Sequence, residues 1–181
     1  MTARHGAWRL CPALALSAWM LAGCAPGEDF SRFGCPNVVG INELSRQIVW
    51  QPGAAGRGAG DTVAKAEISQ ILPSPCTIDR NGVSVEAKFE ILAVRGPASP
   101  TPPEVMVEYF VAVLDPQQRV LGRQRLTTIL PFASGKPNVR VVEDVQVRIP
   151  TTDRERVRTY SVAIGFQIDR ARAAEVQRYW R

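Results

Sequence analysis

Carboxylates on candidate strands are the side chains of this 181-residue chain best suited to acid–base chemistry. Glu143 stands out because it interrupts a valine-lined strand face, where burial would raise its pKa. The other candidates are Glu86, Glu90, Glu108 and Asp144. Two carboxylates that flank a glycosidic bond can hydrolyse it, so a carboxylate-pair hydrolase is one hypothesis for the function. The alternative is that Glu143 marks a strand edge or a bulge.

Histidine occurs only at position 5, in a segment that we expect the mature protein to lose. Without imidazole, the mature chain lacks Ser-His-Asp and Cys-His catalysis and any histidine-ligated metal site. The glycine-rich segment 53–60 is not followed by Gly-Lys-Ser/Thr, so we interpret it as a flexible surface loop rather than a phosphate cradle. We therefore favour a non-catalytic protein without a metal or a cofactor.

Arginine outnumbers lysine 17 to 3 after residue 23. Arg123 and Arg125 share one face of a predicted strand, and Arg140 and Arg148 share the outward face of the next. If these two strands pair, the four guanidinium groups form a patch suited to phosphate or carboxylate groups, such as those of lipopolysaccharide or peptidoglycan. The alternative is an ordinary solvated strand face.

The net charge of +5 includes Arg4 and Arg9. Without these two residues, 20 basic and 17 acidic residues remain. This excess is small and spread along the chain, so we expect no nucleic-acid partner.

The first 24 residues follow the pattern of a lipid-modified secretory signal. Arg4 and Arg9 precede an apolar run that is too short to span a bilayer and ends in Leu21-Ala22-Gly23-Cys24. This stretch resembles the lipobox of bacterial lipoproteins. The resemblance implies that residues 1–23 are a cleaved signal peptide and that Cys24 carries a diacylglycerol thioether. The alternatives are ordinary cleavage after Ala22 or Gly23, or an uncleaved anchor.

Residues 24–34 are interpreted as a lipidated tether whose ten-residue reach is at most about 35 Å. The acyl chains would attach the protein stably to a membrane. Ala25 and Pro26 follow the lipid site without an aspartate at the second position. Resemblance to enterobacterial lipoproteins then implies the outer membrane, with the domain facing the periplasm.

Cys35 and Cys76 are the cysteines that remain besides the signal-peptide Cys11 and the lipid site. In an oxidising compartment an even pair predicts a disulfide. The alternative is two free or metal-bound thiols, although two cysteines without histidine make a poor zinc site.

Alternation of apolar and polar residues predicts strands with one buried face. Seven segments show it: 38–50, which is expected to form strand in pieces, and 61–72, 83–91, 105–113, 119–130, 139–149 and 157–168. Turn signals separate them, among them the hairpin dipeptide Asn81-Gly82. We predict an all-β fold for residues 35–181, an antiparallel sandwich of about seven strands, with an up-and-down barrel as the alternative. Tyr160 opens a strand after a polar loop, which resembles the tyrosine corner of immunoglobulin-like and fibronectin-III-like sandwiches.

The segment 169–181 no longer shows the two-residue alternation of the strands. Asp169 is a candidate N-cap, and the segment 169–181 is predicted to form a short helix that packs on the sandwich. Its aromatic end, Tyr179-Trp180, leaves open a role in partner recognition. The sequence thus predicts a membrane-anchored envelope lipoprotein that acts as an adaptor or assembly component with a protein partner. A binding module for peptidoglycan or lipopolysaccharide is the second hypothesis.

Overall fold

Strands dominate the part of the chain that the structure describes. The computed structural model describes residues 34–180, except 54–57, 102–103, 152 and 154. The strands are β1 (Asn37–Gly40), β2 (Arg46–Trp50), β3 (Thr62–Ile71), β4 (Cys76–Asp79), β5 (Gly82–Arg95), β6 (Glu104–Leu114), β7 (Val120–Pro131), β8 (Asn138–Ile149) and β9 (Ser161–Phe166). One helix, α1 (Arg170–Tyr179), follows them. Three short 3-10 turns lie at Asn42–Leu44, Ala59–Asp61 and Val157–Thr159.

The strands form two facing sheets. The first sheet has the order β1-β9-β6-β7. In the second sheet β5 is central: β3 and β4 pair along one of its edges, β8 along the other, and β2 extends the sheet beyond β3. The neighbours are antiparallel except β1 and β9, which are parallel. The predicted all-β sandwich with a short C-terminal helix is confirmed.

The sandwich has nine strands where alternation predicted about seven. Segment 38–50 divides into β1 and β2, which belong to different sheets. Between them the chain crosses over at a 3-10 turn, where the Ile41 amide donates to Ile164 and the Ile68 amide donates to Ser45. The short strand β4 is the second addition. Immunoglobulin domains keep their last two strands side by side in one sheet, whereas β8 and β9 lie in different sheets, so the resemblance does not extend to strand order.

The core lies between the sheets and follows the alternation read from the sequence. On β5 the inward residues include Phe89 and Ile91, and on β6 they include Val107 and Val111. All four are fully buried. Burying a side chain of this size contributes roughly 1.5–3 kcal/mol, so the facing rows of β5 and β6 hold the two sheets together.

The predicted disulfide is confirmed. Cys35 and Cys76 are bonded, with their Cα atoms 5.7 Å apart. Cys35 leads into β1 of the first sheet, and Cys76 opens β4 of the second. The bond therefore ties the two sheets together at one end, and the entropy model assigns roughly 4 kcal/mol to closing such a loop.

The Asn81-Gly82 hairpin also forms where predicted, joining β4 to β5. The Asp79 carboxylate accepts a hydrogen bond from the Asn81 amide at 2.7 Å. Gly82 has a φ of 144°, and a side chain there would collide with the carbonyl oxygen of Ile149. Glycine is needed at this position for both reasons.

Helix α1 begins at the predicted cap, where the Asp169 carboxylate accepts from the Arg172 amide at 2.7 Å. Ala173 and Val176 are its buried residues, and the helix contacts β2. Spacing of three residues places both on one helix face. The helix therefore closes the outer face of the second sheet beside β2.

Candidate binding groove

The four arginines predicted to form one patch lie on opposite faces of the sandwich. Strand β7 pairs with β6, and β8 pairs with β5, so the condition for a common patch is not met. Arg123 and Arg125 lie on the outer face of the first sheet, whereas Arg140 and Arg148 lie on the outer face of the second. The prediction is corrected to two separate pairs, because consecutive strands enter different sheets.

Three of these arginines already have partners in the chain. Arg123 stacks on the Phe110 ring, with its guanidinium carbon 3.9 Å from the ring centroid, and donates to Gln167 at 2.7 Å. On the second sheet, Arg140 binds Glu90 at 3.0 Å, and Arg148 reaches across β5 to Asp79 at 3.2 Å. The guanidinium groups of these three arginines are therefore already bound by neighbouring side chains of the same chain.

The candidate carboxylates are distributed over several surfaces. On the outer face of the second sheet, Lys88 bridges Glu86 at 3.1 Å and Asp144 at 3.4 Å. Glu90 is only 8% exposed and also accepts a hydrogen bond from Ser69 at 2.6 Å. Glu108 occupies an exposed position on β6 in the other sheet. Glu86, Asp144 and Glu90 therefore serve as partners of neighbouring side chains.

Glu143 points into the sandwich and meets a buried tyrosine. Its Oε2 atom accepts a hydrogen bond of 2.7 Å from the hydroxyl of Tyr109. Tyr109 belongs to the first sheet, is 1% exposed, and meets Phe89 edge to face at 5.2 Å. Burial, reinforced by Glu143, raises the pKa of the Tyr109 hydroxyl. Glu143 thus occupies an inward position among valines because its carboxylate binds the hydroxyl of Tyr109, which reaches it from the facing sheet.

A groove lies between α1 and the outer face of the second sheet, at the end where β2 and β5 finish. It encloses about 450 Å³. Its apolar walls come from residues on β2, β5, the following loop and α1: Ile48, Trp50, Val94, Pro97 and Tyr179. The rings of Trp50 and Tyr179 meet edge to face, with centroids 6.0 Å apart and planes at 77°.

The helix end that forms one wall is held by cation–π contacts. Arg46 and Lys65 lie 5.5 and 5.8 Å from the centroid of the Trp180 ring. Arg46 also pairs with Glu67 at 3.0 Å. The Tyr179-Trp180 end singled out in the sequence is therefore placed beside Trp50 by packing and by charge.

Basic side chains line the groove. Lys65 and Arg95 border it, and it continues past Gly96 and Pro97 to a second depression that contains Lys136. Among the lining residues that the structure describes there is no aspartate or glutamate. Within residues 34–180, as far as they are described, no ion pair involves Lys65, Arg95 or Lys136.

Gly96 allows the groove to form where β5 ends. A side chain at this position would collide with the carbonyl oxygen of Thr62. The Gly96 amide donates to Val63, and the Ala98 amide donates to Thr62. The chain therefore turns closely over the start of β3 as it enters the loop that begins at Gly96 and Pro97.

The groove and Gly34 lie at opposite ends of the sandwich. Cys35 is bonded to Cys76, which pairs with Val85 near the start of β5, whereas the groove surrounds Arg95 at the end of that strand. Ten residues of strand separate Val85 from Arg95, a distance of about 33 Å. The described chain therefore begins at one end of the sandwich and carries the groove at the other.

Sequence reasoning identified only part of this groove. The sequence singled out Tyr179-Trp180 as a recognition element, but nothing in it linked this end of the helix to Trp50. Lys65, Arg95 and Lys136 were not predicted. The one signal in the sequence is that Trp50 and Trp180 are the two tryptophans after residue 23; the structure places Trp50 in the groove and the Trp180 ring next to Lys65, one of its lining residues.

Cys24 and the predicted signal peptide lie outside the described residues. Within the described part, no helix has the length and apolar character needed to cross a bilayer. Nor do the described His, Cys, Asp and Glu side chains form a group of three suited to a metal ion. Comparison with protein-family models, curated proteins and solved structures found nothing that matches this chain.

Proposed function

We propose that this chain is a lipid-anchored adaptor of the bacterial cell envelope. Its sandwich domain binds a protein partner without catalysing a reaction, and the lipid on Cys24 keeps that partner at the membrane. The anchor rests on the resemblance of Leu21–Cys24 to a lipobox. The observation that supports the binding role is the groove between α1 and the second sheet.

The composition of the groove favours a binding role. Aromatic side chains and arginine are enriched at the centres of protein interfaces, where they contribute most of the affinity. Trp50 and Tyr179 remain partly exposed here, although packing could have covered them. The cations beside them, which form no ion pair with a described residue, add a charge preference, which acts mainly on specificity and on the rate of association.

The position of the groove supports an adaptor rather than a membrane-binding surface. A tether that runs from Cys24 to Gly34 attaches to the end of the sandwich that holds the disulfide. The groove at the other end is then directed away from the membrane. A partner in the periplasm could occupy it while the acyl chains remain in the bilayer.

Photo-crosslinking in cells tests this function. Benzoylphenylalanine replaces Val94, an exposed groove residue, in the full chain. The expected result is a discrete protein adduct that sediments with membranes. With Cys24→Ser added, the adduct should move to the soluble periplasmic fraction, because the partner is then no longer tethered.

The control places the same photoreactive residue at Arg80, an exposed turn residue at the opposite end of the sandwich. We expect no adduct from that position. Identical adducts from both positions, or none from position 94, would contradict the proposed function.

A further inference from the structure

We infer that the groove binds an extended acidic peptide segment that carries one large apolar side chain. This inference rests on the proposed adaptor function and specifies the chemistry of its partner. The peptide places its apolar side chain between Trp50 and Tyr179 and its carboxylates beside Lys65, Arg95 and Lys136.

The apolar part of the groove suits a single anchor. Its volume of about 450 Å³ lies within the range of small-molecule and side-chain pockets. An aromatic residue buries 150–250 Å² when it is enclosed. Ile48 and Val94 line it from β2 and β5, and the Tyr179 ring lines it from the last residue of α1.

The charged part of the groove favours acidic residues on either side of that apolar residue in the peptide. Lys65 lies below the aromatic end, and Arg95 and Lys136 follow along the continuation past Gly96. Elsewhere on the second sheet, basic residues such as Arg46, Arg140 and Arg148 have carboxylate partners. The groove cations have no such partner among the described residues, so charge complementarity favours carboxylates supplied by the ligand.

A peptide fits these features better than a glycan or a lipid. Rings at 77° to each other present no common plane on which sugar rings could stack. Two described lining residues carry a hydroxyl, Thr62 and Tyr179, and Thr62 is only 5% exposed, so the Tyr179 hydroxyl is the one that a sugar could reach. In the proposed lipoprotein, the headgroups of the anchoring membrane would be next to the tether, at the opposite end from the groove.

The test uses the mature full-length lipoprotein in detergent micelles. Random dodecapeptides displayed on phage are selected against it, and the selected pool is sequenced. We expect a several-fold enrichment of Asp and Glu around one aromatic or large aliphatic residue. Binding of the best synthetic peptide is then followed by intrinsic fluorescence, because Trp50 and Trp180 are the only tryptophans of the mature chain.

Charge reversal identifies the site. The double variant Arg95→Glu/Lys136→Glu should weaken binding at least tenfold, and a peptide with Lys in place of its acids should recover binding to that variant. The matched control is Arg80→Glu/Arg158→Glu, two exposed arginines at the tether end, which should leave the affinity unchanged. Thermal melting checks that both double variants are folded.

A selected pool without acidic enrichment, or peptide binding that ignores the groove reversal, would overturn the inference. The inference would also be wrong if peptides caused no fluorescence shift while a disaccharide-tetrapeptide or phosphatidylglycerol vesicles did. That shift would have to be lost in the Arg95→Glu/Lys136→Glu variant, which would place the other ligand in the groove. If the crosslink from position 94 in cells persists in any of these cases, the adaptor function stands and only the acidic peptide is wrong.

Discussion

At the scale of single residues, Tyr109 and Glu143 show why a polar residue interrupts an apolar strand face. Glu143 lies opposite Phe89 in the β5–β8 pairing, where valines occupy the inward positions on either side. Its carboxylate accepts the Tyr109 hydroxyl at 2.7 Å. A buried hydroxyl without a partner costs about 1–3 kcal/mol, so the carboxylate lets a tyrosine fill the core.

Tyr109→Phe should therefore lower the free energy of unfolding. A hydrogen bond to a charged group is worth about 1.5–3 kcal/mol, and we expect a loss near the lower end because Glu143 is only half-buried. Urea unfolding at pH 7 measures it. Glu143→Gln keeps an acceptor and should cost less, whereas a Tyr109→Phe protein as stable as the parent would contradict this role.

The same pair predicts an alkaline effect. Burial raises the pKa of Tyr109 in the folded state, whereas an unfolded tyrosine titrates near pH 10. The stabilisation is therefore complete below about pH 10 and is lost as the pH rises above that value. Tyr109→Phe should show a smaller alkaline loss than the parent chain.

At the scale of elements, the turn between β6 and β7 is closed by one carboxylate. Asp115 accepts hydrogen bonds from the amides of Gln117 and Arg119 at 2.9 and 2.8 Å, and it pairs with the Arg119 guanidinium at 2.7 Å. Burial opposes ionisation, but these bonds outweigh it and lower the pKa of Asp115. They also hold Gln118 at a φ of 61°, which few non-glycine residues adopt.

Asp115→Asn should destabilise the hairpin in a pH-dependent manner. Because the folded-state pKa is lowered, the stabilisation is present above about pH 4, where the unfolded carboxyl ionises. It is lost as the pH falls through the folded-state value. Urea unfolding between pH 7 and pH 2 should therefore show the two stability curves converging in acid. A difference that is constant across this range would contradict the assignment.

The strands could be predicted from the sequence because alternation is a local signal. Which strands pair with each other could not be predicted. The buried positions of Val83–Phe89 and Val105–Tyr109 alternate as expected, whereas Phe110 and Ala112 on β6 are buried as well. Segment 38–50 was expected to form strand in pieces, but its crossover from one sheet to the other at 41–45 was not predicted, because the sheet that a strand joins depends on long-range pairing. The pairing expected of the two arginine-bearing strands failed because consecutive strands of a sandwich can enter different sheets.

The groove was beyond sequence reasoning for the same reason. Lys65, Arg95, Lys136 and Tyr179 come from four segments that are far apart in the chain and meet only through sheet pairing and helix packing. The disulfide was predictable, because Cys35 and Cys76 were the two cysteines that the lipobox interpretation left over. Chemistry that depends on residue counts can thus be predicted, whereas chemistry that depends on long-range contacts requires the fold.

At the scale of the whole molecule, the sandwich has two distinct ends. The disulfide, the Asn81-Gly82 hairpin and the start of β1 lie at one end, from which the proposed tether to Cys24 would extend. The aromatic groove lies about 33 Å away along β5. A lipid on Cys24 would then hold the first end at the membrane and leave the second free for a partner.

Quenching of tryptophan fluorescence by brominated lipids tests this arrangement most directly. The mature protein is reconstituted into liposomes, and both of its tryptophans, Trp50 and Trp180, report on the groove. The account predicts that the protein floats with the liposomes, that its emission is not quenched, and that Cys24→Ser abolishes flotation. Strong quenching, or flotation that does not depend on Cys24, would contradict it.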